Sequence, residues 1–201
     1  MLDRRLSLLI ARPLQAIARR LHAAGVSANA VTVAGCALGL AAAVAIALQA
    51  FGLGITLMLL SRLCDGVDGA LARLTQPTDA GGFLDITLDF VFYASIPLAF
   101  AVAEPARNGL AAAALLAAFV GTGTSFLAFA VIAAKRQLAS TDYPNKSFYF
   151  LGGLTEASET LGFFMAMCVW PEHFALLAWV FAALCVLTLL MRIVWGWRRF
   201  R

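Results

Sequence analysis

The chain has 201 residues, 62% of them hydrophobic and 13% charged, against roughly 25% charged in soluble domains. That composition excludes an ordinary water-soluble fold and predicts an integral membrane protein, with room for several spans of about 20 residues and no sizeable soluble domain beside them. The net charge of +4 gathers at the ends of apolar runs, the pattern of membrane topology, so it offers no face for nucleic acid.

Residues 2–21 place Leu2, Leu6, Leu9, Ile10, Leu14, Ile17 and Leu21 at helical spacing, with Arg4, Arg5, Arg12, Arg19 and Arg20 between them. This predicts an amphipathic helix lying in the membrane interface. Arginines spread over its whole length leave no compact charged region ahead of a cleavable apolar one, which argues against a signal peptide. The segment Gly25-Val26-Ser27-Ala28-Asn29 reads as a turn and helix start, Ser27 and Asn29 both being good N-cap residues.

The expected spans then follow at 30–50, 55–74, 83–103, 110–134, 148–170 and 174–195. Uncharged residues 51–54 turn the chain between the first two spans. The polar loop 75–81 separates the second from the third, residues 104–108 the third from the fourth, and 135–146 the fourth from the fifth. Trp170, Trp195, Trp197 and Phe200 suit interfacial depths. The fold class is therefore all-α: a polytopic membrane protein of six transmembrane helices preceded by an amphipathic interfacial helix. Residues 1–24 form the juxtamembrane helix and 25–201 a single membrane domain. Lys and Arg flank one set of loops and both termini, while the opposite loops hold only Arg107. Both termini are thus expected in the cytoplasm, the chain sitting in the inner membrane.

Cys36, Cys64, Cys168 and Cys185 are scattered through apolar runs with no C-x-x-C spacing, so they read as small packing residues. With only His22 and His173 to join them, they do not make a structural zinc site.

Four carboxylates interrupt the second and third spans: Asp65, Asp68, Asp85 and Asp89. A charge at the centre of a bilayer costs about 2.5–3.5 kcal/mol on insertion scales, which implies a task. Asp65 and Asp68 are three apart and Asp85 and Asp89 four apart, so each pair shares a helix face. Counted outward from Thr78, Asp68 lies ten residues back and Asp89 eleven forward. If the two helices are antiparallel neighbours, all four acids converge near the cytoplasmic face. Arg62 and Arg73 cannot neutralise them all, whereas Mg²⁺ or Mn²⁺, which favour oxygen ligands and phosphate, can. Gly66, Gly69 and Ala72 leave the helix surface bare enough for a phosphate or nucleotide to approach the backbone. The same acids suit a cation-coupled transporter, and small residues at four-spacing suit helix packing. The chain has no second copy of the Asp motif, as an inverted-repeat transporter would supply.

The pattern Asp65-x-x-Asp68-Gly69-x-x-Ala72-Arg73 followed by Gly81-x-x-x-Asp85-x-x-x-Asp89 resembles the signature of the CDP-alcohol phosphatidyltransferases. Seven residues separate Arg73 from Gly81, one fewer than is usual in the family. Ser27-Ala28-Asn29-Ala30-Val31-Thr32 is similar to the segment before the family's first span, with Ala28 in place of the usual proline. The resemblance implies a homodimeric membrane enzyme of phospholipid biosynthesis, with six spans after an amphipathic helix. It would displace CMP from a CDP-linked lipid, CDP-diacylglycerol, by an alcohol hydroxyl. Two ions, Mg²⁺ or Mn²⁺, would be bridged by Asp65 and Asp85, with Asp68 completing the first and Asp89 contacting the second while acting as general base. Asp68, Gly69, Ala72 and Arg73 would hold the CDP-lipid, Asn29 and Thr32 would border that pocket, and Thr78 is a candidate phosphate contact. For Arg73 snorkelling to headgroups is the competing reading, and for Asn29 and Thr32 helix capping.

The acceptor that the resemblance implies is a small polar alcohol or an alcohol phosphate. Lys135, Arg136 and Lys146 could bind a phosphorylated alcohol or simply mark topology. Glu156 and Glu159 share a helix face, expected two to three turns inside the fifth span, where they could bind hydroxyls or an amine.

Overall fold

The computed structural model describes the backbone of residues 2–138 and 154–201, and side chains from residue 11 onward. Seven α-helices account for nearly all of it: α1 (Leu2–Ala23), α2 (Ala28–Ala47), α3 (Phe51–Thr75), α4 (Asp79–Ala103), α5 (Pro105–Lys135), α6 (Ala157–Val169) and α7 (Phe174–Phe200). A single 3₁₀ turn, Pro171–His173, joins the last two. No strand occurs among the described residues.

Helix ends follow local chemistry. Ser27 caps α2 by accepting from the Ala30 amide at 3.2 Å, and Thr78 caps α4 by accepting from the Gly81 amide at 3.1 Å. Pro105 opens α5, where its missing amide costs no helical bond. At the other ends α1, α2 and α5 close alike, on a left-handed residue followed by a bond back into the last turn. Gly25 takes that place after α1, but Gln49 (φ 62°) and Gln137 (φ 52°) take it after α2 and α5. Val26, Ala50 and Leu138 then donate to the carbonyls of Leu21, Ala45 and Ala133 at 3.0, 2.8 and 3.0 Å.

Several expected boundaries shift for this reason. The turn after α2 lies at 48–50, so α3 already begins at Phe51. The Thr78 cap starts α4 at Asp79, one turn ahead of expectation, and shortens the polar connection to 76–78. Among the described residues, Ala28–Ala47, Asp79–Ala103, Pro105–Lys135 and the segment Pro171–Phe200 are long and apolar enough to cross a membrane. Helix α3 has the length, 25 residues, but carries the charged motif; α6 has 13, about 20 Å of helix against a hydrocarbon core of about 30 Å.

Packing places α2 at the centre of the site half. Both α3 and α4 pack extensively on α2 and make little direct contact with each other. The expectation that the two acidic helices are packed neighbours is corrected: they face one another across a cleft floored by α2. Gly35 and Gly39 permit this. A Cβ on Gly35 would fall 2.9 Å from Cys64 Cβ, and one on Gly39 would fall 2.5 Å from the Phe92 ring. Helix α1 covers the outer side of α3, where Leu14 and Ala18 are buried against Val67, Ala70 and Leu71 while Arg12, Arg19 and Arg20 stay exposed.

The main core lies in the other half of the bundle, around Phe92, Phe100, Phe164, Phe174 and Phe181, with Ile46, Met58, Ile96, Leu115 and Met167. Phe100 stacks on Phe174 with ring centroids 4.4 Å apart. The cysteines are free, and Cys36, Cys168 and Cys185 are buried, in keeping with their reading as packing residues. Contacts pair the helix ends. Gln49 donates to the Ala103 carbonyl and Arg107 to the Glu172 carbonyl at one end, while Arg136 donates to the Phe200 carbonyl at the other.

Candidate active site

Two turns of α3 and two of α4 supply the chemistry. Asp65, Asp68 and Asp85 each bring a carboxylate oxygen within 4.8 Å of the other two. They converge because the pairs lie at matching distances from the 76–78 connection and point into the same cleft. Thr32, Gly35 and Cys36 of α2 and Ser61, Arg62, Leu88 and Asp89 complete its lining.

The four acids do not share one environment. Asp68 is only 5% exposed and its Oδ2 has no hydrogen-bond partner among the described residues. A buried carboxylate oxygen left in that state is destabilising unless a cation meets it. Asp89 is differently placed. Its Oδ1 accepts from Arg62 Nη1 at 2.8 Å, and the same nitrogen lies 3.8 Å from Asp65 Oδ2. The Arg62 guanidinium stands over the Phe92 ring at 4.0 Å from its centroid, and Nη2 donates to Ser61 Oγ at 3.3 Å.

Of the other residues singled out in the sequence, Thr32 lines the cleft while its hydroxyl donates to the Ala28 carbonyl at 3.0 Å. Asn29 lies inside α2 and does not cap it. Its Oδ1 and Thr78 Oγ1 both approach Gly81, at 3.0 and 3.1 Å from where a Cβ there would stand, so the two polar groups meet over that glycine. Gly69 has Arg73 Nη1 as its near neighbour, 3.5 Å from its own Cβ position, and Ala72 is half-buried beside them. Gly66 has another use: Leu14 of α1 rests on it, at 2.9 Å from its Cβ position, so it serves helix packing and does not front a nucleotide.

Of the remaining candidates, those among the described residues lie outside the cleft lining. Lys135 is exposed in the last turn of α5, and Lys146 falls outside the described residues. Glu156 and Glu159 are not deep in a span, as expected, but at the head of α6, where they form a capping box. Glu159 Oε2 accepts from the Glu156 amide at 3.2 Å and from Ser158 Oγ at 3.1 Å. Carboxylates are favoured there because the first amides of a helix lack partners.

Arg62 is the residue the sequence reading undervalued. Its spacing of three from Asp65 signalled a neighbour, but nothing local announced Asp89, 27 residues on, as its principal partner. A second half-buried arginine, Arg192 of α7, donates to the Thr122 carbonyl of α5 at 3.0 Å, and Thr155 donates to Thr188 at 3.1 Å.

Known proteins place this arrangement. The family model of the CDP-alcohol phosphatidyltransferases matches residues 25–191. The inner membrane protein YnjF of Escherichia coli is 48% identical over 196 residues, covering 98% of this chain and 95% of its own. Two crystal structures of the phosphatidylinositol phosphate synthase of Mycobacterium tuberculosis share the fold at 22% identity. The one with CDP-DAG bound gives a TM-score of 0.69 over 92% of this chain and 94% of that one. The one in complex with manganese and citrate gives 0.72 over 92% and 88%. With the match running from the turn before α2 into α7, across the whole acidic cleft, the chain belongs to the CDP-alcohol phosphatidyltransferase family.

Proposed function

We propose that this protein is a metal-dependent transferase of phospholipid synthesis that moves the phosphatidyl group of CDP-diacylglycerol onto a small polar alcohol or alcohol phosphate, releasing CMP. The observation that carries this reading is the convergence of Asp65, Asp68 and Asp85 within 4.8 Å, with the buried, unpartnered Oδ2 of Asp68 among them. An all-carboxylate donor set of this kind fits Mg²⁺ or Mn²⁺. The fold neighbour solved with manganese supports the same class of ion. Bound there, a divalent ion would polarise the phosphate under transfer and offset charge on the departing CMP.

The chain's own residues divide the remaining work. Asp89 accepts the proton of the acceptor hydroxyl as that oxygen bonds to the lipid-bearing phosphorus. The bond from that phosphorus to the CMP oxygen breaks, and CMP leaves with the electron pair. Arg73, with Gly69 bare beside it, holds the diphosphate, where a guanidinium fork is worth more than a point charge. Asn29, Thr32, Ala72 and Thr78 border the nucleotide. On the acceptor side, Lys135 and Lys146 supply cationic contacts, and Glu156 and Glu159 supply hydroxyl or amine contacts from the head of α6.

This reading sets the protein in the inner membrane as a six-span homodimer, with α3 and the expected span at 148–170, of which α6 is the described part, completing the count. Both termini and the cleft face the cytoplasm. The test is CMP release by purified protein given CDP-diacylglycerol, Mg²⁺ or Mn²⁺ and a panel of alcohols and alcohol phosphates. Release at the level of an Asp89→Asn control with every acceptor refutes it.

A further inference from the structure

The turns of α3 that carry the acids have a back as well as a front. Asp65 and Asp68 line the cleft, while Cys64, Val67 and Leu71, at spacings of three and four, face a small second core separate from the main one. Helix α1 supplies one wall of that core. Leu14 and Ala18 are buried in it, Leu21 is half-buried, and Val26 and Val31 close it from the turn before α2 and its first turns. Leu14 sits directly behind the acids: its Cδ1 and Cδ2 lie 2.9 and 3.3 Å from where a Cβ on Gly66 would stand. Because α3 and α4 make little direct contact, the position of the acids depends on what presses on α3 from α1 and α2.

The seat of α1 is modest. An amphipathic helix at an interface ordinarily puts its apolar face into lipid, but here that face is spent on α3, and one of its two buried side chains is an alanine. What remains outward is cationic. Arg12, Arg19 and Arg20 are exposed, and among the described residues none of them pairs with a carboxylate. Docking also brings them toward Arg73, two residues beyond Leu71 on the same helix, so like charges oppose the seat. Anionic headgroups remove that opposition, and clustered cations hold them more tightly than the same cations apart. The magnitudes are of one order: burying a leucine favours docking about ten- to hundredfold, and each arginine at an anionic surface contributes up to about fivefold. Surface charge therefore decides how fully α1 is seated.

We propose that Arg12, Arg19 and Arg20 form a docking surface for anionic lipid headgroups, and that lipid held there seats α1 on α3 through Leu14 and so braces Asp65 and Asp68 in the cleft. Anionic membrane is then an activator of the enzyme. The three arginines act through Leu14 and α3 and are positioning residues. The inference rests on the transferase reading for its effect on catalysis, and on the docked helix alone for its effect on structure.

Amide hydrogen exchange in vesicles tests it without catalysis. Residues 11–23 and 62–72 of the wild type should exchange about threefold or more slowly in equal parts of phosphatidylcholine and phosphatidylglycerol than in phosphatidylcholine alone. CMP release should rise with that protection, and high salt should remove both effects. The triple variant Arg12→Gln, Arg19→Gln, Arg20→Gln should match the wild type in phosphatidylcholine and show no response to phosphatidylglycerol. Equal or faster exchange of the wild type in the anionic vesicles overturns the inference, even if the triple variant fails to fold. So does a response that the folded variant retains, or one that inorganic phosphate reproduces with neutral vesicles, which assigns the arginines to free phosphate. Protection that rises while measurable CMP release stays constant overturns the link to catalysis. Failure of the transferase reading shows separately, as absence of CMP release in every vesicle, and the exchange rates then still decide whether lipid seats α1.

Discussion

Replacing Asp68 by asparagine should make the metal-free protein more stable and the metal-loaded protein relatively less so. Without an ion, Asp68 faces Asp65 and Asp85 with oxygens no more than 4.8 Å away. At an effective dielectric near 20, two unit charges at that distance repel by about 3.5 kcal/mol. Asp65, with 39% of its side chain exposed, sheds part of this into solvent, so the net relief is about 1–3 kcal/mol. Asparagine keeps the shape, removes one charge and offers its amide to the neighbouring carboxylates in place of the unpartnered Oδ2. At about 2–4 °C per kcal/mol for a chain of this size, Tm in EDTA should rise by about 3–10 °C.

Mn²⁺ should reverse the order. An ion at a hundred times its Kd stabilises the wild type by about 2.7 kcal/mol, whereas Asp68→Asn has lost a ligand and gains little. Thermal unfolding in detergent, with EDTA and with Mn²⁺ for both proteins, gives the four numbers required. A variant less stable than wild type in EDTA, or one stabilised equally by Mn²⁺, refutes the assignment of Asp68 as a buried metal ligand.

Further outcomes follow from other parts of the molecule. Gly39→Ala drives a methyl into the Phe92 ring, 2.5 Å away, and should lower stability by about 1–3 kcal/mol while displacing the shelf under Arg62; unfolding curves and CMP release should fall together. Gln49→Gly relieves a left-handed residue with φ 62° but gives up the donation to the Ala103 carbonyl at 3.4 Å, so stability should rise by no more than about 0.5 kcal/mol, seen as a small Tm increase with CMP release unchanged. Arg73→Lys keeps the charge but loses the fork, so KM for the CDP-lipid should rise about tenfold or more with Tm unchanged; an unaltered KM would assign Arg73 to headgroup contact instead.

The acidic cluster was legible in the sequence because its cause is local. Spacings of three and four put each pair on one helix face whatever those helices pack against, and the distance from Thr78 set their common depth. The end of α3 and the start of α4 then bring Asp68 and Asp85 together. What the periodicity could not carry was the partner of each helix. Nothing in the motif says that α2 lies beneath both, because the information sits in Gly35 and Gly39, two small residues in an apolar run of which either face could pack. Glu156 and Glu159 were misplaced for a related reason: an averaged apolar stretch hides a helix start, although Glu at the N-cap and at the third helical position is itself a start signal.

Arg62 shows most sharply where local reading stops. As a charge in a predicted span, three residues before Asp65, it counted only as one of two arginines too few to neutralise the acids. Its role depends on Asp89, 27 residues on, and on the Phe92 ring beneath it, and both contacts exist only once α3 and α4 have docked on α2. Helix packing therefore does more than gather four carboxylates. It selects which three converge and gives the fourth a cation of the chain's own, so the charge balance of the site is a product of tertiary structure that no motif records.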